Sequence, residues 1–311
     1  MSTKTTNAIQ VYSYGDMDQL KLGQVAQPEP QEGEVLVRVH AAGVNPIDWK
    51  IRAGYLKDFM PATFPYVPGA DLAGIVEKVG AGVTAFQPGQ AVFGRSSQGS
   101  YAEYALAPAD ALALKPANLS FDEAATIPVG ATTACQALFD HGNLQPGQRV
   151  LILGGAGGVG LFAVQFARWK GAHVISTVSA SNVDFVRSLG AGTVIDYTKA
   201  HLEDEVHDVD LVFDTVGAAA AASALPTLKR GGMLVTIAGQ PDEAKAKGLG
   251  VRTARFSAQI TSALLSTFAQ LIEEGHVKTF VGAVFSLDEA GKAHDLSQGG
   301  HGRGRIVLHI A

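Results

Sequence analysis

The chain has a single cysteine, Cys135, in 311 residues. One thiol excludes an intrachain disulfide framework and any zinc site built from several thiolates. Positive charge is also scarce: 24 Lys and Arg stand against 29 Asp and Glu, a formal net charge of −5. A nucleic-acid binder would show a basic surplus or stripe, so no nucleic-acid partner is expected. Long hydrophobic runs are missing too. The longest weakly apolar stretch, 211–228, is broken by Asp214, Ser223 and Pro226, and the N-terminal MSTKTTNAIQ has no apolar signal region. The expectation is a soluble, cytoplasmic protein with no membrane span. Among the nine histidines no pair has HxxxH spacing. His201 and His207 lie in an acidic stretch and His294 and His301 flank a glycine-rich loop, so all four read as solvated surface rather than metal ligands. None of the seven tyrosines has Lys four positions later, which removes the YxxxK pair of short-chain reductases.

What is present is apolar and glycine-rich. Hydrophobic residues make up 47% and charged residues 17%, enough for sizeable cores, and 311 residues suggest two domains. The 36 glycines follow no Gly-X-Y period, so they mark tight turns and close backbone approaches. The first third is β-rich: Val35, Val37 and Val39 alternate, and short strands at 74–80 and 91–94 are punctuated by Gly and Pro, predicting a small barrel-like β domain. From about Phe121 the pattern changes. Strands at 149–153, 173–178, 194–195, 210–213 and 233–237 alternate with helices at 160–170 and 182–189, and a helix at 262–274 and a strand at 305–310 follow. That alternation predicts an α/β fold with a doubly wound parallel sheet.

Directly after the strand at 149–153 and directly before a helix stands Gly155-Ala156-Gly157-Gly158-Val159-Gly160, a GxGxxG in a βαβ unit of the required size. Such glycines allow a tight turn and let backbone N–H groups approach a pyrophosphate at the positive end of a helix. The loop is expected to bind a dinucleotide through Gly155, Gly157, Gly158, Val159 and Gly160. An NAD site places a carboxylate about 20 residues further on. Here that region is Val178-Ser179-Ala180-Ser181-Asn182, without an acid, and Ser179 and Asn182 offer hydrogen bonds to a 2′-phosphate. NADPH is therefore the expected cofactor, with an ordinary helix cap as the bland alternative for Ser181. Strand ends carrying Val216 and Ala238 face the switch-point crevice, where cofactors bind.

At this point the sequence resembles the medium-chain dehydrogenase/reductase superfamily, and within it the zinc-independent quinone oxidoreductase branch. The resemblance runs through AGVNPID (42–48), PGADLAG (68–74), residues 128–138, the glycine loop, VIDY (194–197) and GRGRIVL (302–308). It implies a GroES-like β-rich catalytic domain plus a Rossmann domain: 1–120 the first part of the catalytic domain, 121–258 the NADPH-binding domain, and 259–311 a return to the catalytic domain. A homodimer is implied as well, with 251–256 as an edge strand. Zinc-dependent relatives place Cys where this chain has Asn45, His where it has Ala70, and a third ligand near Val129. None of these three is a zinc ligand type, so no metal is expected.

The resemblance also suggests roles for particular residues. Asn45 is either a hydrogen-bond donor to the substrate oxygen or a turn residue before Pro46. Lys50 stands where relatives often have Tyr; it either stabilises a developing oxyanion or is a solvated charge. Tyr55 is the nearest phenol able to donate a proton, with water as the substitute. Thr133 matches a threonine beside the nicotinamide, Tyr197 a tyrosine flanking the 2′-phosphate, and Arg305 a basic residue near the pyrophosphate. Asp71 reads as structural rather than catalytic. Without a metal to polarise an alcohol or ketone oxygen, an electron-poor acceptor is the fitting substrate. The expected function is NADPH-dependent, metal-independent reduction of quinones or α,β-unsaturated carbonyls by hydride transfer. The alternatives are an enoyl-thioester reductase of the same superfamily and a non-catalytic NADPH-binding sensor or structural protein. Apolar residues in the loops 55–64 and 275–285 point to a small hydrophobic acceptor.

Overall fold

The computed structural model describes residues 4–199, 202–300 and 302–311, so His201 and His301 lie outside the described residues. The chain divides into two compact units, one of residues 1–129, 260–275 and 279–311, the other of 130–259 and 276–278. The first boundary falls at 129/130 rather than 120/121. The segment after 120 forms a short helix that packs on strands of the first unit.

In chain order the first unit contains β1 (Thr5–Val11), β2 (Leu20–Ala26), β3 (Glu34–Val44), α1 (Pro46–Arg52), β4 (Asp71–Val79), β5 (Ala91–Arg95), β6 (Tyr104–Pro108), β7 (Leu112–Leu114) and α2 (Phe121–Ala124). Helix α3 (Pro128–Cys135) carries the chain onward. The second unit contains β8 (Arg149–Leu153), α4 (Gly160–Trp169), β9 (His173–Val178), α5 (Val183–Ser188), β10 (Thr193–Asp196), α6 (Leu202–Glu205), β11 (Val209–Asp214), α7 (Ala218–Ala224), β12 (Leu228–Thr236), α8 (Glu243–Leu249) and β13 (Arg252–Arg255). The chain then adds α9 (Ser262–Glu273), β14 (Val281–Ser286), α10 (Ala290–Gly299) and β15 (Arg305–His309) to the first unit.

The first unit has a β1–β2 antiparallel pair and a sheet in the order β14-β15-β3-β4-β5-β7, with β6 also paired to β3. The alternating Val35, Val37 and Val39 enter a core with Leu72, Val76, Phe86, Val92 and Leu112, as half-buried strands do. The last strand, β15, runs antiparallel to β3 in the register Ile306–Val44 to His309–Ala41, which commits the two ends of the chain to one sheet.

The second unit's six strands are all parallel and run β10-β9-β8-β11-β12-β13. Counted from β8 this is the order 3-2-1-4-5-6, the Rossmann arrangement, whose switch point lies beside β8. The strand and helix assignments at 149–153 and 160–169 are as the sequence predicts, and β13 is an edge strand. The helix expected at 182–189 is shorter, because a tight 3₁₀ turn at Ala180–Asn182 precedes α5. No described helix is long and apolar enough to cross a membrane.

Candidate functional site

In the second unit β8 delivers the chain into the glycine loop. The glycines there do different jobs. A Cβ at Gly155 would lie 2.1 Å from Ser176 Oγ, and one at Gly160 would lie 2.1 Å from Gly154 O. These two are required by the protein's own packing of loop, β9 and α4. A Cβ at Gly157 would meet only Gly154 O, at 3.5 Å, an ordinary contact. Gly157, Gly158 and Val159 are partly exposed, just before the first turn of the ten-residue α4. A bare backbone that the fold does not itself need, at a helix N-terminus, fits a pyrophosphate.

The neighbouring strand ends are shaped by a buried acid. Asp214 Oδ1 accepts hydrogen bonds from the N–H of Val216 at 2.9 Å and of Gly217 at 3.0 Å, and its Oδ2 accepts from the Thr236 hydroxyl at 2.7 Å. Thr236 Oγ1 in turn accepts from Ala238 N–H at 3.1 Å. The N–H groups of Val216 and Ala238 are thus already engaged, and the Val216 side chain is exposed. Sequence reasoning gave no role to Asp214 or Thr236; the signal is an acid closing an apolar strand just ahead of Thr-Val-Gly.

At the end of β9, Asn182 Nδ2 donates to Ser179 Oγ at 3.1 Å, and Ser179 and Ser181 hydroxyls lie 3.4 Å apart. Tyr197 N–H donates to Val178 O at 3.2 Å, which brings the exposed Tyr197 to the same strand end. Ser179, Asn182 and Tyr197 are therefore together, and the β9 end carries hydroxyls and an amide but no carboxylate. The nearby Asp196 is turned to Thr198 Oγ1 at 2.7 Å and Lys199 at 3.4 Å. Thr133 lies buried on α3. Burial pushes the Cys135 thiol up to about 11, so it stays protonated and is no nucleophile at neutral pH.

In the first unit the candidates separate into a buried and an exposed set. Asn45 is 1% exposed; its Nδ2 donates to Asp71 Oδ2 at 3.1 Å and its Oδ1 accepts from Arg305 Nη2 at 2.8 Å. Both amide atoms of Asn45 are thus engaged within this unit, at the turn before Pro46. Arg305, at 3% exposed, also reaches Asp71 Oδ2 at 2.6 Å. Its guanidinium is held inside this unit by two partners, where the resemblance implied a pyrophosphate contact, and its buried Nε has no partner among the described residues. Asp71 Oδ1 accepts from Val129 N–H at 3.0 Å, completing a structural role for that acid. Lys50 and Tyr55 stand apart from this network. The Trp49 ring gathers both: Lys50 Nζ lies 5.6 Å from its centroid and Tyr55 packs edge-on at 5.7 Å. Tyr55 itself is largely exposed.

His294 corrects the surface reading: it is 0% exposed, with Nε2 3.2 Å from the Tyr101 hydroxyl. Its position on α10 turns it into the core of the first unit, and burial pushes it down to about 3, so it is neutral. His207 is exposed, as expected. Among the described residues no group of three or more His, Cys, Asp or Glu is placed to hold a metal ion.

Two buried carboxylates share this region with one directly paired guanidinium. Burial pushes Asp48 up to about 7, against the Asn45 N–H and the Tyr101 hydroxyl that favour its charged form; Asp71 adds to the rise. Burial also raises Asp71 to about 6, opposed by Arg305, Asn45 and Val129 N–H, so Asp71 is the ionised member at neutral pH. Asp71→Ala would leave the Arg305 guanidinium buried without its partner, and the expected loss of about 3–5 kcal/mol is readable by urea unfolding. For Asp48 the sign follows from linkage. Its unfolded value is 3.8 and its folded value about 7, so the folded chain holds a proton the unfolded chain has lost between those values. Stability tied to that proton is complete below the lower value and is lost as pH rises through the upper. Asp48→Asn keeps an acceptor oxygen and cannot ionise. Its Tm is expected to gain on that of the wild type as pH rises from about 4 to 8, and a constant offset across that range would refute the assignment.

Residues 31–117 match the alcohol dehydrogenase GroES-like domain family, and 189–308 match the zinc-binding dehydrogenase family. The chain is similar to a 2-methylene-furan-3-one reductase of Solanum lycopersicum, 35% identical over 95% of this chain and 77% of that protein. It is similar to a quinone oxidoreductase of Mus musculus, 34% identical over 98% of each. A solved mycobacterial structure in complex with NADPH superposes with a TM-score of 0.88 at 31% identity, covering 98% of this chain and 99% of that one.

Proposed function

The chain belongs to the medium-chain dehydrogenase/reductase superfamily, among its quinone oxidoreductases, and from that premise we propose that it is an NADPH-dependent, metal-independent reductase of quinones or α,β-unsaturated carbonyls. The observation that carries this reading is the glycine loop at the switch point, where Gly157 is bare for no reason of packing. Similarity to a quinone oxidoreductase, to an enone reductase and to a protein crystallised with NADPH supports it.

NADPH, when bound, supplies a hydride to an electron-poor carbon. The chain's own residues do the rest. Backbone N–H groups of Gly158 and Val159 at the α4 N-terminus take the pyrophosphate, and the bare Gly157, whose own N–H is bonded to Gly154 O, leaves room for it. Ser179, Asn182 and Tyr197 take the ribose 2′-phosphate through hydrogen bonds that a carboxylate would forbid. Lys50 stabilises the charge developing on the acceptor oxygen, and Tyr55 or water returns the proton. No Lewis acid is assigned, because Ala70 and Val129 cannot ligate and the Asn45 amide is committed to Asp71 and Arg305.

Two experiments test the reading. NADPH oxidation would be followed in excess chelator with an aromatic ortho-quinone and a simple alkenal side by side. Turnover unaffected by chelator is expected, with Lys50→Ala lowering kcat about tenfold or more; saturable NADPH binding with no turnover on either acceptor would sink the proposal. Gly157→Val adds atoms where the fold has space, so the protein should remain folded while NADPH binds at least about tenfold more weakly. Unchanged affinity would place the pyrophosphate elsewhere.

A further inference from the structure

Helix α1 has seven residues, too few to keep its shape unaided. Buried side chains hold both of its ends. At the C-terminal end Arg52 Nη1 donates to Gly15 O at 3.0 Å. At the N-terminal end Asp48 Oδ2 accepts from the N–H of Asn45 at 2.8 Å, capping the first turn. Between these anchors lie Trp49 and Lys50, and Tyr55 N–H reaches back to Lys50 O at 3.0 Å.

The Asp48 carboxylate is itself held from behind. The Tyr101 hydroxyl donates to the same Oδ2 at 2.9 Å, and the His294 Nε2 lies 3.2 Å beyond it. Tyr101 and His294 are both 0% exposed, and Tyr101 sits among Ile9, Val44, Leu287 and Leu308. Space for the phenol ring comes from Gly69, where a Cβ would stand 2.4 Å from Tyr101 Cδ1.

A phenol has one proton to give. Asp48 Oδ2 at 2.9 Å is the nearer acceptor, so the phenol proton is placed there and the imidazole presents its N–H at Nε2 to the phenol oxygen. The other ring nitrogen, Nδ1, is buried without a hydrogen-bond partner among the described residues. Donation into the phenol oxygen strengthens the phenol's own donation to Asp48. Apolar side chains would also pack α10 against α1, and a buried polar chain carries a desolvation cost they avoid. What the chain of hydrogen bonds adds is direction.

We infer that Tyr101 and His294 are positioning residues, which act through Asp48 to fix the first turn of α1 and thereby the placement of Lys50 and the Trp49–Tyr55 pair. The inference rests on the reading that Lys50 and Tyr55 act on an acceptor. It also makes α10, from the far end of the sequence, part of the apparatus that sets turnover.

The test compares His294→Leu, His294→Gln and Tyr101→Phe with the full-length wild-type protein. Hydrogen exchange would be read in peptides spanning 45–56, with Arg149–Leu153 of β8 as the internal reference. His294→Leu and Tyr101→Phe are expected to speed exchange in 45–56 about tenfold relative to β8. In the same variants kcat for the acceptor should fall about tenfold while NADPH affinity holds. Glutamine can still donate an N–H to the phenol oxygen, so His294→Gln should restore both readings to within about threefold. Unchanged exchange in 45–56, an unchanged kcat despite faster exchange, or a glutamine variant no better than leucine would each overturn the inference. A wild-type protein that reduces no quinone or enone would defeat the reductase reading separately; the exchange measurement would still decide whether His294 and Tyr101 hold α1.

Discussion

Four stretches of the first unit meet at one carboxylate. Asp71, 0% exposed at the start of β4, takes hydrogen bonds from Asn45 at the head of α1, from Arg305 at the start of β15 and from the backbone at Val129, where α3 begins. Gly43 makes space for it: a Cβ there would stand 2.9 Å from Asp71 Cβ and 2.4 Å from Ala125 O. A buried ion pair of this kind contributes little net stability against an apolar replacement of the same shape, because both charges lose their hydration. Its effect is on uniqueness. β15 joins β3 in one register across some 260 residues of sequence, and in that register Arg305 is paired with Asp71.

The second unit uses the same device with different partners. Asp214 ends β11 and is 0% exposed, yet it has no guanidinium; it collects two backbone N–H groups and a threonine hydroxyl instead. Charge-assisted bonds of this kind are stronger than neutral ones, and a carboxylate with several donors tolerates burial. In both units an acid at a strand terminus thus sets the path of the loops that leave the sheet. Loops shaped by buried acids change course if the acid is removed, even where no ligand touches it.

Much of this was legible in the sequence wherever the cause is local. Alternation at Val35, Val37 and Val39, the apolar run 149–153 and the GxGxxG before α4 each follow from the periods and turn chemistry of their own elements. The place of Tyr197 beside Ser179 and Asn182 was implied by the family resemblance, and the parallel strands account for it by bringing their C-terminal ends to one side of the sheet. What the sequence hid was partnership over distance. Asn45 has two plausible uses as a sequence position, and its bonds to Arg305 and Asp71 show only in space. His294 looks like a polar residue beside a glycine-rich loop; its burial depends on the face α10 presents to β3 and β15. Tyr101 gives no signal at all until Gly69 and Asp48 are placed around it.

The glycine loop shows why even a legible motif needs the structure. Its spacing reads as a single ligand-binding signature, yet its glycines answer to different constraints. Gly155 and Gly160 are bare because Ser176 Oγ and Gly154 O occupy the space a Cβ would take. They would be required in this βαβ turn whether or not a ligand ever arrived. Gly157 meets no such demand, and its φ is not in the left-handed range that favours glycine. The packing around it does not require its side chain to be missing. A motif match alone counts every glycine as evidence for a ligand. The packing assigns Gly155 and Gly160 to the fold and leaves Gly157 as the open position among the three.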